Sequence, residues 1–399
     1  MSHPNPSSAA PRMHRRTALV TLLSAAGVVV LPSCGGGGGT ASVDTGGTGS
    51  FSTGRISGFG SVIVNGVRFE DNTARIADDD DETKVLTRDD LALGMVVRVQ
   101  GGAVITVAGD LPTATATTIT VESQIKGRVE SKTGTDTLVV FGQTVKVTAS
   151  TVFETGVTFA NIVVGDVLEV HGFADAAGVV TASRIERETG ATEFKVRGVI
   201  GSLDPVAKTF QIGTATFNYA SASRLPSTPL ANGMFVRVRT TVTPNGSGQW
   251  VVTRIDLRTA LEDRSEAEVE GVLLQSGSTF SVNGITVDFT RLPSGSSLVG
   301  QRVEVEGALV GGVLLAREIK VENETEESNV DVRGTASSVN TTAQTFVVRG
   351  VTFHYSASTT QKDGTIAADL RDGADIRVRG TLPSGGTGNV EATEIDFRP

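Results

Sequence analysis

The sequence predicts an all-β protein: a tandem array of about five small five-stranded antiparallel barrels, OB-like, after a disordered N-terminal signal and tether. Three observations lead to this prediction. Val, Ile, Leu and Thr are abundant beside 47 glycines, whereas Trp occurs once and Tyr twice, a bias that favours strands. Apolar residues alternate with polar ones at a period of two. The same strand and turn pattern recurs about every 70 residues along the 399-residue chain.

One landmark defines the repeat. It is a Leu or Val, a glycine two or three positions later, and then alternating apolar residues, as in LALGMVVRVQG and IVVGDVLEVHG. The landmark glycines are Gly94, Gly165, Gly233, Gly300 and Gly373. Upstream of each, two strands flank a tight turn, as in SVIVNGVRF and TFSVNGITVDF, and the Asn-Gly pairs predict type I′ hairpins. A closing strand follows each landmark.

The repeat therefore predicts five units, here called units 1 to 5. Each has a first strand, a hairpin of the second and third strands, a variable connection, the landmark glycine, and fourth and fifth strands. Closing the sheet removes two exposed edges, so we expect a barrel, with a small open sandwich as the alternative. A closed barrel completes its own sheet, so each unit is expected to fold alone, with modest contacts between units. The units span residues 54–123, 124–189, 190–262, 263–327 and 328–399.

The N-terminus has the pattern of a secretory signal, predicted over residues 1–33. A basic segment with Arg15 and Arg16 precedes an apolar run from Thr17 to Leu31. That run is shorter than the roughly 20 residues that a membrane-spanning helix needs. The paired arginines also fit the twin-arginine export route, with a plain basic segment as the alternative.

The segment LPSC at the end of the signal resembles the lipobox of bacterial lipoproteins. In that family a diacylglycerol is attached to the cysteine and the signal is cut before it. The resemblance makes Cys34, the only cysteine, the predicted lipid attachment site, and it implies an exported protein anchored to the periplasmic or surface face of a cell-envelope membrane. The Gly-rich stretch that follows, over residues 34–53, is predicted to be a flexible tether.

The units EGVLLQSGSTFSVNGITVDF and GQRVEVEGALVGGVLLAREIKVE resemble the bacterial domain-of-unknown-function family 5666. The resemblance extends over roughly residues 54–399 and is weakest in unit 1. It implies a repeated small β-domain in exported lipoproteins of the envelope. The resemblance implies no activity and no catalytic residues.

Charge and residue type exclude several functions. The formal charge of −9 becomes −12 without the first 33 residues, which hold three arginines and no acids. An acidic body argues against nucleic acid as a partner. Arg237, Arg239 and Arg379 alternate along predicted strands, and we expect them on a solvated strand face. His171 and His354 lie in different units without a Ser or Cys partner nearby, and His354 is expected on a strand surface, so no catalytic triad is indicated.

The connection before Gly94 contains an acidic run, which includes Asp78, Asp79, Asp80, Asp81 and Glu82. Oxygen ligands of this kind suit Ca²⁺, which makes these residues a candidate metal site, but the alternating spacing of a calcium loop is lacking and a solvated loop is the alternative. Trp250 is expected to pack in a core or at an edge. No cofactor and no enzymatic activity are predicted.

We therefore expect a non-enzymatic, lipid-anchored binding or spacer array of β-domains, with the membrane, an envelope protein or a glycan as partner. The alternative is a module that binds a glycan or a divalent metal through its variable loops. Polar residues of several units that converge on one concave site would favour the binding module.

Overall fold

A computed structural model describes residues 49–79, 84–106, 110–258, 261–323, 328–383 and 388–397. The predicted signal, Cys34 and residues 34–48 of the predicted tether lie outside these ranges, as do Asp80, Asp81 and Glu82. The first strand begins at Ser50, so the predicted tether is wrong over residues 50–53, which are part of unit 1. These residues belong to the strand because they pair on both edges, with strands of units 1 and 4.

The described residues contain thirty strands. Those of unit 1 are β1 (Ser50–Phe59), β2 (Val62–Val64), β3 (Val67–Glu70), β4 (Arg75–Asp78), β5 (Val85–Leu86), β6 (Val96–Gly101) and β7 (Thr113–Val121). Those of unit 2 are β8 (Ile125–Thr133), β9 (Thr137–Val140), β10 (Gln143–Lys146), β11 (Val152–Phe153), β12 (Val167–Ala174) and β13 (Val180–Glu188). Those of unit 3 are β14 (Phe194–Val199), β15 (Gly201–Asp204), β16 (Thr209–Ile212), β17 (Ala215–Asn218), β18 (Phe235–Thr240) and β19 (Trp250–Leu257).

The last two units follow the same order. Unit 4 contains β20 (Arg264–Ser276), β21 (Thr279–Val282), β22 (Ile285–Asp288), β23 (Arg302–Val310) and β24 (Val313–Val321). Unit 5 contains β25 (Asn329–Asn340), β26 (Thr345–Val348), β27 (Val351–His354), β28 (Thr360–Lys362), β29 (Asp375–Thr381) and β30 (Val390–Asp396). Helical structure in the described residues is limited to two 3₁₀ turns, Arg88–Asp90 and Pro293–Leu298, and one helical turn, α1 (Ile366–Asp369).

Every unit closes into a five-stranded barrel, as predicted. In unit 4, β20 pairs with β21, β21 with β22, β22 with β24, β24 with β23, and β23 returns to β20. Each barrel departs from the predicted antiparallel order at one pair, the third strand of the ring with the fifth, which is parallel. Short strands beyond the predicted five also occur in units 1, 2 and 5: β4, β5, β11 and β28. A ring with an odd number of strands cannot alternate direction all the way round, so one parallel pair is required.

The five landmark glycines have the same backbone role in every unit. Their φ angles lie between 81° and 99°, a region that side-chain-bearing residues rarely adopt. Each donates its N–H to a first-strand carbonyl of its own unit at 2.8–2.9 Å, for example Gly94 to Ile56 and Gly300 to Leu273. The landmark therefore fixes the start of the fourth strand against the first.

The Asn-Gly hairpins also form as predicted. Asn65 and Gly66 have φ values of 50° and 74°, and Asn283 and Gly284 have 47° and 73°. Both positions of a type I′ turn need positive φ, which Asn and Gly tolerate best. Register between the second and third strands is thereby set by the turn.

The predicted array with modest contacts between units is wrong, because the described residues lie in one compact unit and the sheets run on between barrels. The first strand of unit 1 pairs in parallel with β20 and with β25, and β8 pairs with β14. Only part of a first strand is covered by its own second strand, so the remaining edge is open to the first strand of another unit.

The cores merge in the same way. Units 2 and 3 share one cluster, in which Phe141 of unit 2 contacts Phe194, Phe217 and Trp250 of unit 3 edge-on, with ring centroids 4.6–5.6 Å apart. Trp250 therefore packs against a core, as expected. Units 1 and 5 share a second cluster. Unit 4 has its own cluster, to which unit 1 adds Phe51.

Candidate functional site

The outward positions of the barrels carry charges that differ from unit to unit. One such position lies four residues after each landmark glycine, on the fourth strand. In units 1 to 5 it holds Arg98, Glu169, Arg237, Glu304 and Arg377. The neighbouring residues on each fourth strand, such as Val236 and Val238, point into the core and are fully buried. Where two barrels face each other, these outward charges become buried.

Units 1 and 3 meet in this way around Asp79. Arg197 and Arg237 lie directly opposite each other on β14 and β18, a like-charge pair that is unfavourable alone. Asp79 of unit 1 lies between them: its Oδ2 accepts hydrogen bonds from Arg237 Nη1 at 2.6 Å and from an Nη of Arg197. The side chains of Asp79 and Arg197 are both only 8% exposed. One carboxylate from unit 1 therefore neutralises part of an arginine pair in unit 3.

Glu122, which follows β7, is the second buried acid of this junction. Its side chain is 3% exposed, and its carboxylate oxygens lie 3.4 Å from Arg98 Nη1, 3.7 Å from Arg197 Nη1 and 3.8 Å from Arg258 Nη2. Burial raises the pKa of Glu122, but the three guanidinium groups together lower it more, so this pKa lies below its ordinary value. Glu122 is therefore held as a carboxylate.

Arg258 is a further largely buried cation of the junction, with a side chain 11% exposed. Burial lowers its pKa to about 10, against an upward contribution from Glu122. Its Nη2 donates to the carbonyl of Asn283 at 2.7 Å. Its Nε and Nη1 are buried and have no hydrogen-bond partner among the described residues, and the same is true of Arg237 Nε and Asp79 Oδ1. Buried donors and acceptors without partners are rare in native proteins and require an explanation.

These residues line a cavity of about 310 Å³, here called the arginine cavity. Every lining residue belongs to unit 1 or unit 3. Unit 1 contributes Arg75, Ala77, Asp78, Asp79, Arg98, Thr120 and Glu122, and unit 3 contributes Arg197, Phe235, Arg237, Leu257 and Arg258. Among these residues Arg75 is exposed, whereas Asp79 and Glu122 are buried and Arg258 is partly buried. The cavity thus offers guanidinium donors, two buried carboxylates and an apolar wall.

A second buried cluster connects units 2 and 3. Glu169 lies 3.1 Å from Lys126 Nζ and 3.9 Å from Lys195 Nζ. Burial raises the pKa of Glu169, but the two ammonium groups lower it more. Glu188 lies 3.8 Å from Lys126 Nζ, so two acids face two lysines in this cluster, which joins the two barrels.

The two histidines of the described residues lie in different units, and each has its own partner. His171 is 1% exposed, and its Nδ1 accepts a hydrogen bond from the N–H of Val96 at 3.3 Å, so it helps to join units 1 and 2. His354 has a side chain 33% exposed and lies 2.8 Å from Glu391, which confirms its expected place on a strand surface.

The acidic run is only partly described. Asp78 is half-buried and lies 3.8 Å from Lys84 Nζ, and Asp79 is bound by arginines, so the alternative of a solvated loop is wrong for Asp79. The expectation of a solvated face is also wrong for Arg237 and Arg239, because unit 1 covers them, whereas Arg379 is 45% exposed. Within the described ranges, no three His, Cys, Asp or Glu side chains are placed to hold a metal ion.

Arg197, Arg258 and Glu122 were not singled out by the sequence. A usable signal existed for Arg197 and Arg237, since both occupy outward positions of regular strands. Nothing in the sequence tells which two units place these positions against each other. Among the described residues, no helix is both long enough and apolar enough to cross a membrane.

Comparison with family models places this architecture. The model of a domain of unknown function, DUF5666, matches residues 126–186, 259–320 and 333–396. This chain contains repeated DUF5666 domains. The three matched segments correspond to units 2, 4 and 5. Units 1 and 3, outside those segments, have the same closed ring and the same landmark glycine as the matched DUF5666 repeats. No curated protein matches the chain.

The arginine cavity therefore lies between two units that the DUF5666 model does not match. Two of the matched repeats, units 2 and 4, carry a glutamate at the equivalent outward position (Glu169 and Glu304), whereas the third, unit 5, carries Arg377. The cavity is thus a feature of units 1 and 3 of this chain, rather than of the barrel that all five units share.

Proposed function

We propose that this chain is an exported protein, held on the bacterial cell envelope by lipid on Cys34, whose DUF5666 repeats form a non-enzymatic binding body. The lipobox-like LPSC segment and the signal pattern before it support the anchor. The Gly-rich segment after Cys34 gives the anchor a length of chain before the first barrel.

One observation supports a binding role rather than a spacer: eight charged side chains of units 1 and 3 converge on one cavity. They are Arg75, Asp78, Asp79, Arg98, Glu122, Arg197, Arg237 and Arg258. A spacer needs no such concentration of buried charge, which is costly to remove from water. Concave sites at the junction of two domains are common places for small ligands.

The same groups are poorly suited to acid–base catalysis. An effective general base has a pKa near the working pH. Burial raises the pKa of Glu122, yet the surrounding arginines bring it below its ordinary value, and Arg258 keeps a pKa of about 10. At neutral pH both groups stay charged, so they attract and orient a ligand without exchanging protons with it.

The anchor is tested by Cys34→Ala in the full chain, with Ser42→Ala in the predicted tether as the control. We expect Cys34→Ala to abolish labelling by a radioactive fatty acid, because alanine has no thiol to carry the lipid. Without its acyl chains the protein should leave the membrane fraction. Ser42→Ala should label and fractionate like the wild type. Unchanged labelling and detergent partitioning of Cys34→Ala would rule out the lipid anchor.

A further inference from the structure

We propose that the arginine cavity binds a small anion that carries a phosphate or carboxylate group. This inference rests on the binding role proposed above and names the ligand class of that site.

The lining of the cavity is rich in arginine. Among its described residues, five arginines face three acids, so positive charge exceeds negative charge by two. Asp78 is also engaged outside the cavity, 3.8 Å from Lys84. Guanidinium groups stay protonated under all ordinary conditions and match the planar oxygens of carboxylates and phosphates. A bound anion would balance the excess.

Several buried arginine donors at the cavity lack an acceptor. Arg258 Nε and Nη1 and Arg237 Nε line or adjoin the cavity and have no acceptor among the described residues. Asp79 Oδ2 is shared by two arginines, and Glu122 lies 3.4–3.8 Å from three, while Asp79 Oδ1 and Glu122 Oε2 face none of these nitrogens at hydrogen-bond distance. Oxygen atoms of an anion in the cavity supply the missing acceptors. They also oppose the burial that lowers the pKa of Arg258 to about 10.

The volume and the walls of the cavity restrict the size of its ligand. A cavity of about 310 Å³ is small for an organic ligand, and its walls include Phe235, Leu257 and Ala77. Exposed Arg75 stands where an anion would enter. These features select a ligand with one or two anionic groups and a short apolar part, and they exclude a polymer.

The test is isothermal titration calorimetry of the full mature chain in detergent, with inorganic phosphate, succinate or neutral glycerol as the titrant. Three variants are compared with the wild type: Arg258→Gln inside the cavity, Arg75→Gln at its exposed edge, and Arg379→Gln. Arg379 is a matched control, since it lies on an outward face of unit 5, is 45% exposed and does not line the cavity.

We expect saturable binding of phosphate or succinate at about one per chain, with glycerol inert. Which anion binds distinguishes a phosphate ligand from a carboxylate ligand. Binding should be at least about tenfold weaker in Arg258→Gln, a few-fold weaker in Arg75→Gln and unchanged in Arg379→Gln. Circular dichroism checks folding, and Arg75→Gln decides if Arg258→Gln is unfolded.

The proposal is overturned if neither anion binds saturably, or if a folded Arg258→Gln and Arg75→Gln both bind as the wild type does. This outcome is independent of the lipid anchor, which is measured by acyl labelling of Cys34→Ala. A failed anchor with intact anion binding would instead overturn only the envelope location.

Discussion

Units 3 and 4 carry like-charge pairs at the same place in the barrel, and they accommodate them differently. In unit 3, Arg197 and Arg237 are cross-strand partners, and Asp79 from unit 1 bridges them. In unit 4, Glu270 and Glu304 are cross-strand partners. Glu270 is bound by Arg302 Nη2 at 2.5 Å and by the N–H of Arg55 at 2.8 Å.

Glu304 is accommodated by protonation. Burial, with the nearby carboxylates of Glu322 and Glu270, raises the pKa of Glu304 to about 8. An arginine cannot lose its proton at any ordinary pH, so a buried arginine pair needs carboxylates beside it. Asp256 of unit 3 lies 3.2 Å from Arg237 Nη2, and Asp79 of unit 1 bridges both arginines. A glutamate pair can instead take up a proton. This difference explains why the arginine face of unit 3 forms a junction with another unit.

The largest expected effect comes from removing the imported acid. Asp79→Asn removes the carboxylate that binds both arginines and leaves Asp256, 3.2 Å from Arg237, and Glu122, 3.7 Å from Arg197. Removing one partner of a buried ion pair costs about 3–5 kcal/mol. The matched control is Asp331→Asn in unit 5, where Asp331 binds Arg377 at 2.6 Å but is 22% exposed. We expect the control to cost about 1 kcal/mol or less. Urea unfolding of both variants measures the difference, and equal losses would contradict a special role of the junction.

A smaller effect is expected from the glutamate pair, and it depends on pH. A carboxyl with a folded pKa of about 8 and an ordinary value of 4.5 binds its proton more tightly when folded. The protonation of Glu304 therefore contributes fully to the stability of the folded chain below pH 4.5, and this contribution is lost as the pH rises through about 8. Glu304→Gln keeps a neutral group, so at pH 9 the variant should be more stable than the wild type by about 1–2 kcal/mol, allowing for solvent screening.

Urea midpoints at pH 5 and pH 9 check this expectation. Glu318→Gln is the matched control, since Glu318 lies on β24 of the same unit and is exposed. The control should change little at either pH. If the stability difference between the wild type and Glu304→Gln is the same at pH 9 as at pH 5, Glu304 is not protonated in the folded chain.

The sequence was sufficient for the barrel and insufficient for the junction, and the reason is physical. The turn before β6 needs a positive φ at Gly94, and the hairpin needs Asn65-Gly66, so both are visible as local patterns. The direction of barrel closure follows from the number of strands. By contrast, the contact of Asp79 with Arg237 joins residues 158 positions apart in different units, and no local pattern encodes it.

Burial of the charged faces could not be predicted for the same reason. Arg237 and Arg379 follow the same alternating pattern, yet the side chain of Arg237 is 14% exposed and that of Arg379 is 45% exposed. The lipid on Cys34 and a metal site at Asp80, Asp81 and Glu82 remain predictions, since these residues lie outside the described ranges.

The most direct test of the junction is a double-mutant cycle in urea unfolding. One cycle combines Asp79→Ala with Arg237→Ala, and the reference cycle combines Asp331→Ala with Arg377→Ala, an ion pair within unit 5. We expect a coupling energy of about 2 kcal/mol or more for Asp79 with Arg237, and about 1 kcal/mol or less for Asp331 with Arg377. Equal coupling in the two cycles, or none between Asp79 and Arg237, would contradict the claim that an imported acid joins units 1 and 3.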